Sequence, residues 1–148
     1  MLKNTTSALA IAVVAFAGGY LVRGAVTPVA TVHAAAANRV FELRTYTAPP
    51  GKLEALKARF RDHTIRIFNK YGMESIGYWT PQDAPLKENT LIYILAHPSR
   101  EAAAAAWKSF QADPDWQKAR TESQKDGPLT TKAPESVFLD PVDFSAIK

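Results

Sequence analysis

The stretch VFELRTYTAPPGKLEALKARF, residues 40–60, decides the fold because a strand, a break and a helix follow one another in it. Its first eight residues, Val40 to Thr47, are rich in β-branched and aromatic side chains and alternate in polarity with period two, which is typical of a strand. The Pro-Pro-Gly at residues 49–51 ends this strand. From Lys52 onward, apolar side chains recur at helical spacing, so the folded part opens with a β-α unit.

The first helix is predicted over Lys52–Tyr71. One apolar stripe is expected to contain Leu53, Leu56, Phe60, Ile67 and Tyr71, and the charged residues Arg59, Asp62, Arg66 and Lys70 are expected outside it. His63 flanks the stripe and is interpreted as a partly buried core histidine. Gly72 follows the stripe and is expected to end the helix with a positive φ.

Two strands come next along the chain. Glu74–Thr80 is predicted as the second strand, which Pro81 stops. Thr90–Ala96 is predicted as the third, and its two apolar faces favour a central place in the sheet. A short fourth strand is predicted at Val137–Leu139, where Pro141 limits it to an edge or to its own end.

A second helix, in two pieces, is predicted between the third and fourth strands. Ser99 is expected to cap the first piece. Asp113 with Pro114 is expected to start the second, and Gly127-Pro128 is expected to end it. The aromatic residues in this region are interpreted as core contacts rather than as a cofactor site: Trp107, Phe110 and Trp116.

The predicted order β-α-β-β-α-β is that of an α+β, ferredoxin-like fold, with a four-stranded antiparallel sheet and both helices on one face. Alternation leads us to expect Tyr46, Leu91, Tyr93 and Leu95 on the uncovered face. A large exposed apolar surface usually marks an interface. The sequence therefore predicts a homodimer in which two sheets face each other around a two-fold axis.

Five segments, in order and with the right spacing, resemble the NIPSNAP family. They are Phe41–Tyr46 followed by Pro50-Gly51-Lys52, then Gly77–Thr80, then Ala96–Ala103 with Trp107 and Phe110, then Asp113-Pro114-x-Trp116, and last Phe138-Leu139-x-Pro141-x-Asp143-Phe144-Ser145. The resemblance runs from about Arg39 to Ile147, nearly the whole folded part. It implies a dimeric α/β barrel in which two sheets close around a central cavity, and it implies no defined biochemical activity. Related barrels include cofactor-free monooxygenases and haem-binding enzymes, an analogy at the level of the fold.

Glu42, Arg44 and Tyr46 form the best candidate site, because alternation places all three on the face expected to line the cavity. An arginine can bind a carboxylate with two parallel hydrogen bonds, and Tyr and Glu can exchange protons. This set could hold an anionic or polar small molecule. The alternative is that Glu42 and Arg44 pair with each other or with the partner chain and set the strand register.

Tyr93 and His97 complete the candidate ligand-binding residues, since both belong to the same face of the third strand. His97 could act as an acid, a base or a ligand, or it could be a strand-end histidine bonded to the backbone. The spacing of histidines and acids matches no metal site, and two distant histidines do not establish a haem pocket. We expect neither a cofactor nor a metal.

Composition excludes several classes of function. There is no cysteine, which excludes disulfides, thiolate metal sites, a cysteine nucleophile and a lipoprotein anchor. Residues 39–148 contain 16 basic and 14 acidic side chains, a net charge of +2, with no basic run. Nucleic-acid binding normally requires a clustered basic face, so we expect no nucleic-acid partner.

Residues 1–37 are expected to be a targeting segment preceding a folded domain at 38–148. Lys3 is followed by the apolar residues 8–22 and then by small residues at Ala34–Ala37, the pattern of a cleaved signal peptide. An uncleaved anchor at residues 8–22 is the alternative, since that length is close to a membrane span. Both interpretations predict an exported domain, in the periplasm or another extracytoplasmic space.

Three hypotheses about function follow. The leading one is an exported NIPSNAP-type homodimer without assigned catalysis, whose cavity binds a small molecule. The second is a small cofactor-free oxygenase that uses Arg44, Tyr46 and His97. The third is an interaction module whose outer helices dock a membrane partner.

Overall fold

The structure is a computed structural model and describes residues 39–148. One antiparallel sheet contains four strands, β1 (Val40–Thr47), β2 (Glu74–Trp79), β3 (Thr90–His97) and β4 (Glu135–Leu139), in the order β2-β3-β1-β4. The helices are α1 (Leu53–Arg59), α2 (Ile65–Lys70), α3 (Arg100–Ala112) and α4 (Pro114–Ser123). A π-helical turn (Phe60–Thr64) joins α1 to α2, and a 3₁₀ turn (Leu86–Glu88) precedes β3. The predicted targeting segment, residues 1–37, lies outside the described residues.

The predicted ferredoxin-like α+β fold is confirmed. The segment α1–α2 is the first helical unit and α3–α4 is the second, and β3 lies inside the sheet while β4 lies at its edge. The local signals act as expected. Ser99 Oγ accepts a hydrogen bond from the Ala102 N–H at 3.1 Å, Asp113 Oδ1 accepts one from the Trp116 N–H at 3.0 Å, and Gly72 has a φ of 70°. The second helical unit ends at Ser123, earlier than predicted.

The core lies between the helices and one face of the sheet. Tyr93 on β3 is fully buried at its centre, where its ring contacts those of Phe60 and Phe68. Leu56 and Ile67 fill the space beside these rings. Burial of such large side chains is the main stabilising contribution to a domain of this size.

The prediction that the uncovered face of the sheet carries Tyr46, Leu91, Tyr93 and Leu95 is wrong. These side chains lie in or against the core under the helices, because the aromatic rings of the helical layer pack on them. Both faces of β3 are apolar, so its alternation cannot tell which face the helices cover. The helices select the aromatic face, which also carries the hydrogen-bonded Glu42.

The opposite face of the sheet is aliphatic. Register places Leu43 beside Ile94 on β3 and beside Val137 on β4. Val137 is 54% exposed, and no helix within residues 39–148 packs over it. Residues 140–148 lie along one end of this face, where Pro141 and Ile147 flank a shallow depression together with Phe41. Across residues 39–148, none of the helices has the length and apolar character needed to span a membrane.

Candidate functional site

Glu42 on β1 is the centre of a buried polar cluster. Its Oε1 accepts hydrogen bonds from Arg44 Nη1 and Ser136 Oγ, both at 2.6 Å. Its Oε2 accepts one from Trp107 Nε1 at 2.7 Å and lies 3.1 Å from His97 Nε2. Burial by itself raises the pKa of this carboxyl, but the four hydrogen bonds outweigh it and lower the pKa to about 2. Glu42 therefore remains ionised and ties β1, β3, β4 and α3 together.

Arg44 links this cluster to a pocket. One of its nitrogens is bound to Glu42, while its buried Nε has no hydrogen-bond partner among the described residues. The guanidinium carbon lies 4.2 Å from the centre of the Trp107 ring, a stacked cation–π arrangement that fixes the plane of the group. Arg44 is thus held in place on one side and has unused donor capacity on the other.

Tyr46 follows Arg44 on the same face of β1 and also lines the pocket. Its hydroxyl accepts a hydrogen bond from the Tyr93 hydroxyl at 3.3 Å, and its ring packs edge-on against Phe60 at 5.4 Å. Burial, with Tyr46 close by, raises the pKa of Tyr93 well above its usual value, so Tyr93 stays protonated. The Tyr46 hydroxyl accepts the hydrogen bond from Tyr93, so its own O–H can donate a hydrogen bond to a bound molecule.

A second arginine, Arg59, lies next to the π-helical turn and lines the same pocket. A π turn contains an extra residue, and it rotates the side chains on its two sides relative to each other. Arg59 immediately before it and Phe60 at its start are both buried, at 6% and 3% exposure. The prediction that Arg59 lies outside the apolar stripe is therefore wrong. The predicted positions of Asp62, Arg66 and Lys70, which are exposed, are confirmed.

The pocket lies between the sheet and the helices and has a volume of about 370 Å³. Arg44 and Tyr46 form its floor, Arg59 and Trp116 one wall, and residues 130–134 before β4 part of its rim. A cavity of this size suits a small molecule. Its position within a single chain differs from the predicted chamber between two sheets.

The pocket is strongly basic. Four of the eleven residues lining it are cationic, namely Arg44, Arg59, Arg120 and Lys132, and none of the eleven is acidic. Burial lowers the pKa of Arg59, and the like charge of Arg120 lowers it further, so the protonated forms of these neighbours repel each other. An anion placed between them would relieve both effects.

The five candidate residues predicted from sequence divide into two groups. Arg44 and Tyr46 line the pocket, while Glu42, Tyr93 and His97 lie behind them. Glu42 and Arg44 form the ion pair that the alternative interpretation anticipated. His97 is 1% exposed and contacts the Glu42 carboxylate rather than the backbone. The oxygenase hypothesis requires Arg44, Tyr46 and His97 to meet in one pocket. The structure does not bring His97 into the pocket that Arg44 and Tyr46 line.

Other pocket residues were not singled out by the sequence. The sequence pattern predicts Arg59 outside the apolar stripe, and no motif distinguishes Arg120 or Lys132 from the other cations of the chain. Trp116 was expected in the core, where it is indeed buried, but its ring also lies 5.2 Å from the Arg59 guanidinium carbon and lines the pocket. His63 is exposed, so its predicted partial burial is wrong. Within residues 39–148, no cluster of three or more His, Asp or Glu side chains is arranged to hold a metal.

A comparison of the fold with solved structures identifies the structural class of the protein. A putative antibiotic biosynthesis monooxygenase from Nitrosomonas europaea has the same fold, with a TM-score of 0.50 and 16% identity over 70% of this chain and 98% of its own. At that identity the likeness concerns the fold alone. The chain is thus an α+β domain with a ferredoxin-like fold, which this monooxygenase shares.

The family follows from closer matches. The NIPSNAP family profile matches residues 41–146, and the chain belongs to this family. An uncharacterised NIPSNAP domain protein from Burkholderia xenovorans is 30% identical, with a TM-score of 0.59, over 72% of this chain and 97% of that one. A NIPSNAP family protein of unknown function from Agrobacterium tumefaciens is 25% identical, with a TM-score of 0.65, over 76% and 96%. No curated protein matches the chain.

Proposed function

We propose that this NIPSNAP protein is an exported homodimer that binds a small molecule in a pocket within each subunit. The single observation that carries the binding proposal is the pocket of about 370 Å³ over Arg44 and Tyr46. Its polar groups converge from one strand, three helices and a loop. A largely preformed cavity with a few converging polar groups is the usual form of a small-molecule site.

Export and dimerisation are supported by other features. The apolar residues 8–22, preceded by Lys3, have the pattern of a signal peptide or an uncleaved anchor. The aliphatic face of the sheet, with Val137 and Leu139 at 54% and 38% exposure, is the surface that a second copy would cover. Membrane contact would then involve the N-terminal segment alone.

A pocket-filling substitution tests the binding proposal. Ala133 is exposed at the rim, so Ala133→Trp should obstruct the pocket without altering its charges. Ala104→Trp, on the exposed surface of α3, is the matched control. In a thermal-shift screen of the purified protein against a small-molecule library, we expect compounds that stabilise the wild type and Ala104→Trp but not Ala133→Trp.

Two results would count against this function. One is a screen in which no compound stabilises the wild type. The other is a set of stabilising compounds whose effect Ala133→Trp leaves unchanged, because these compounds would bind elsewhere.

A further inference from the structure

The charges around the pocket do not balance. Arg44 is paired with Glu42, and Lys132 forms a salt bridge with Glu135. Arg59 and Arg120 have no salt bridge within residues 39–148. The pocket therefore retains two cations without an acidic partner in the described part of the chain, Arg59, which is buried, and Arg120, which is exposed.

Burial makes this imbalance informative. Arg59 is more than nine-tenths buried, and its Nε has no partner in the part of the chain that the structure describes. The buried Nε of Arg44 also has no hydrogen-bond partner there. A buried donor without an acceptor is costly, and uncompensated polar groups of this kind need a specific explanation. Two such donors on arginines that line one cavity indicate that an acceptor belongs in it.

The chemistry of arginine indicates that the missing hydrogen-bond acceptor is an oxyanion. A guanidinium presents its donors in a planar fork that matches a carboxylate or phosphate, and it is charged at every physiological pH. A neutral molecule would leave the buried charge of Arg59 uncompensated. A monoanion would pair with Arg59 alone, whereas a second negative charge could also pair with Arg120, which is exposed at the pocket. The pocket is too small for a macromolecule and has room for a compact organic molecule.

Resting on the proposed function, we infer that the ligand of this pocket is a small organic dianion, a dicarboxylate or a phosphate monoester. Arg59 and Arg120 supply the two compensating charges, and Arg44 and Tyr46 donate additional hydrogen bonds. Glu42 is a positioning residue, because it holds Arg44 in place and does not face the ligand.

Four probes of similar size test the charge requirement in the purified protein at pH 8: phthalate, phenyl phosphate, benzoate and benzamide. The two dianions should bind about tenfold more tightly than benzoate, the scale of one charge-assisted hydrogen bond, and benzamide should bind most weakly. Phthalate and phenyl phosphate also distinguish a dicarboxylate site from a phosphate site. Raising the salt concentration should weaken the dianions most.

Two variants on one helix test the assignment of residues. Arg120→Gln removes a pocket cation, whereas Lys118→Gln makes the same charge change on α4 outside the pocket lining; both residues are exposed. By titration calorimetry, Arg120→Gln should weaken dianion binding about tenfold and leave benzamide binding unchanged. Lys118→Gln should bind all four probes as the wild type does.

Three outcomes overturn the inference. The first is benzoate or benzamide binding as tightly as the dianions. The second is equal loss of affinity in Lys118→Gln and Arg120→Gln, which would mean attraction to general surface charge. The third is no binding of any of the four probes. In each case the proposed function still stands if the library screen yields compounds that Ala133→Trp excludes.

Discussion

Glu42 is the single residue on which the geometry of the site depends most. Its carboxylate receives hydrogen bonds from three different strands and from α3, and one of these comes from the pocket arginine Arg44. A buried charge is tolerated when it is fully hydrogen-bonded, and removing one member leaves the others uncompensated. Glu42 thus connects the stability of the sheet to the position of Arg44.

We expect Glu42→Gln to lower the free energy of unfolding by about 3 kcal/mol, the scale of a broken buried ion pair. Glu74→Gln is the control. It removes a carboxylate of which 59% is exposed and which pairs with Arg39 at the surface, so its cost should be under about 1 kcal/mol. Chemical denaturation at pH 7 measures both. Equal losses in the two variants would contradict the role given to Glu42.

The pH dependence of the free energy of unfolding provides a second comparison, between the wild type and Glu42→Gln. Because the pKa of Glu42 is about 2 in the folded protein and 4.5 in a model compound, its stabilising contribution is complete above pH 4.5 and is lost as the pH falls toward 2. Between these values the wild type should lose stability more steeply than Glu42→Gln. Asp113, whose pKa is also lowered, contributes to the acid sensitivity of both proteins.

At the scale of elements, the π-helical turn between α1 and α2 directly follows the pocket arginine Arg59. Arg59 is the last residue of α1 and is buried, with its guanidinium carbon 5.2 Å from the centre of the Trp116 ring on α4. Thr64 Oγ1 donates a hydrogen bond to the Arg59 carbonyl at 3.2 Å, one contact across the turn. Single π turns are frequent at functional sites, and this one adjoins the pocket through Arg59.

We expect Arg59→Met to stabilise the unliganded protein by about 1 kcal/mol, because it keeps the packing against Trp116 and removes a desolvated charge without a partner. The same variant should lose dianion binding. Arg61→Met, at an exposed position of the same turn, should change stability by less than about 0.5 kcal/mol. Urea denaturation compares the three proteins, and a destabilised Arg59→Met would argue that Arg59 is a structural residue.

Much of the element pattern could be predicted from the sequence. Caps such as Ser99 and Asp113, the break after Thr47 and the period of each strand are local signals, and each predicts its element independently. The π-helical turn could not be predicted, because the 3.6-residue period was assumed to continue through residues 60–64. The burial of Arg59 could not be predicted either, because it depends on a tertiary contact with Trp116 on α4.

At the scale of the whole molecule, the sheet has two unlike apolar faces. The aromatic face is covered by helices and contains the pocket, and the aliphatic face around Leu43, Ile94 and Val137 has no helical cover within residues 39–148. The sequence predicted an uncovered face but assigned the wrong residues to it, since the choice depends on which side the helices pack. The proposed dimerisation through the aliphatic face and the proposed binding inside each subunit therefore use different surfaces and can be tested separately.

The number of ligands bound per dimer tests this separation most directly. In native mass spectrometry with phthalate, the account predicts a wild-type dimer with two ligands. Val137→Glu places a charge on the exposed aliphatic face, so it should give a monomer that still binds one ligand with unchanged affinity. One ligand per dimer, with binding lost in the Val137→Glu monomer, would contradict the account and place the site between the two sheets.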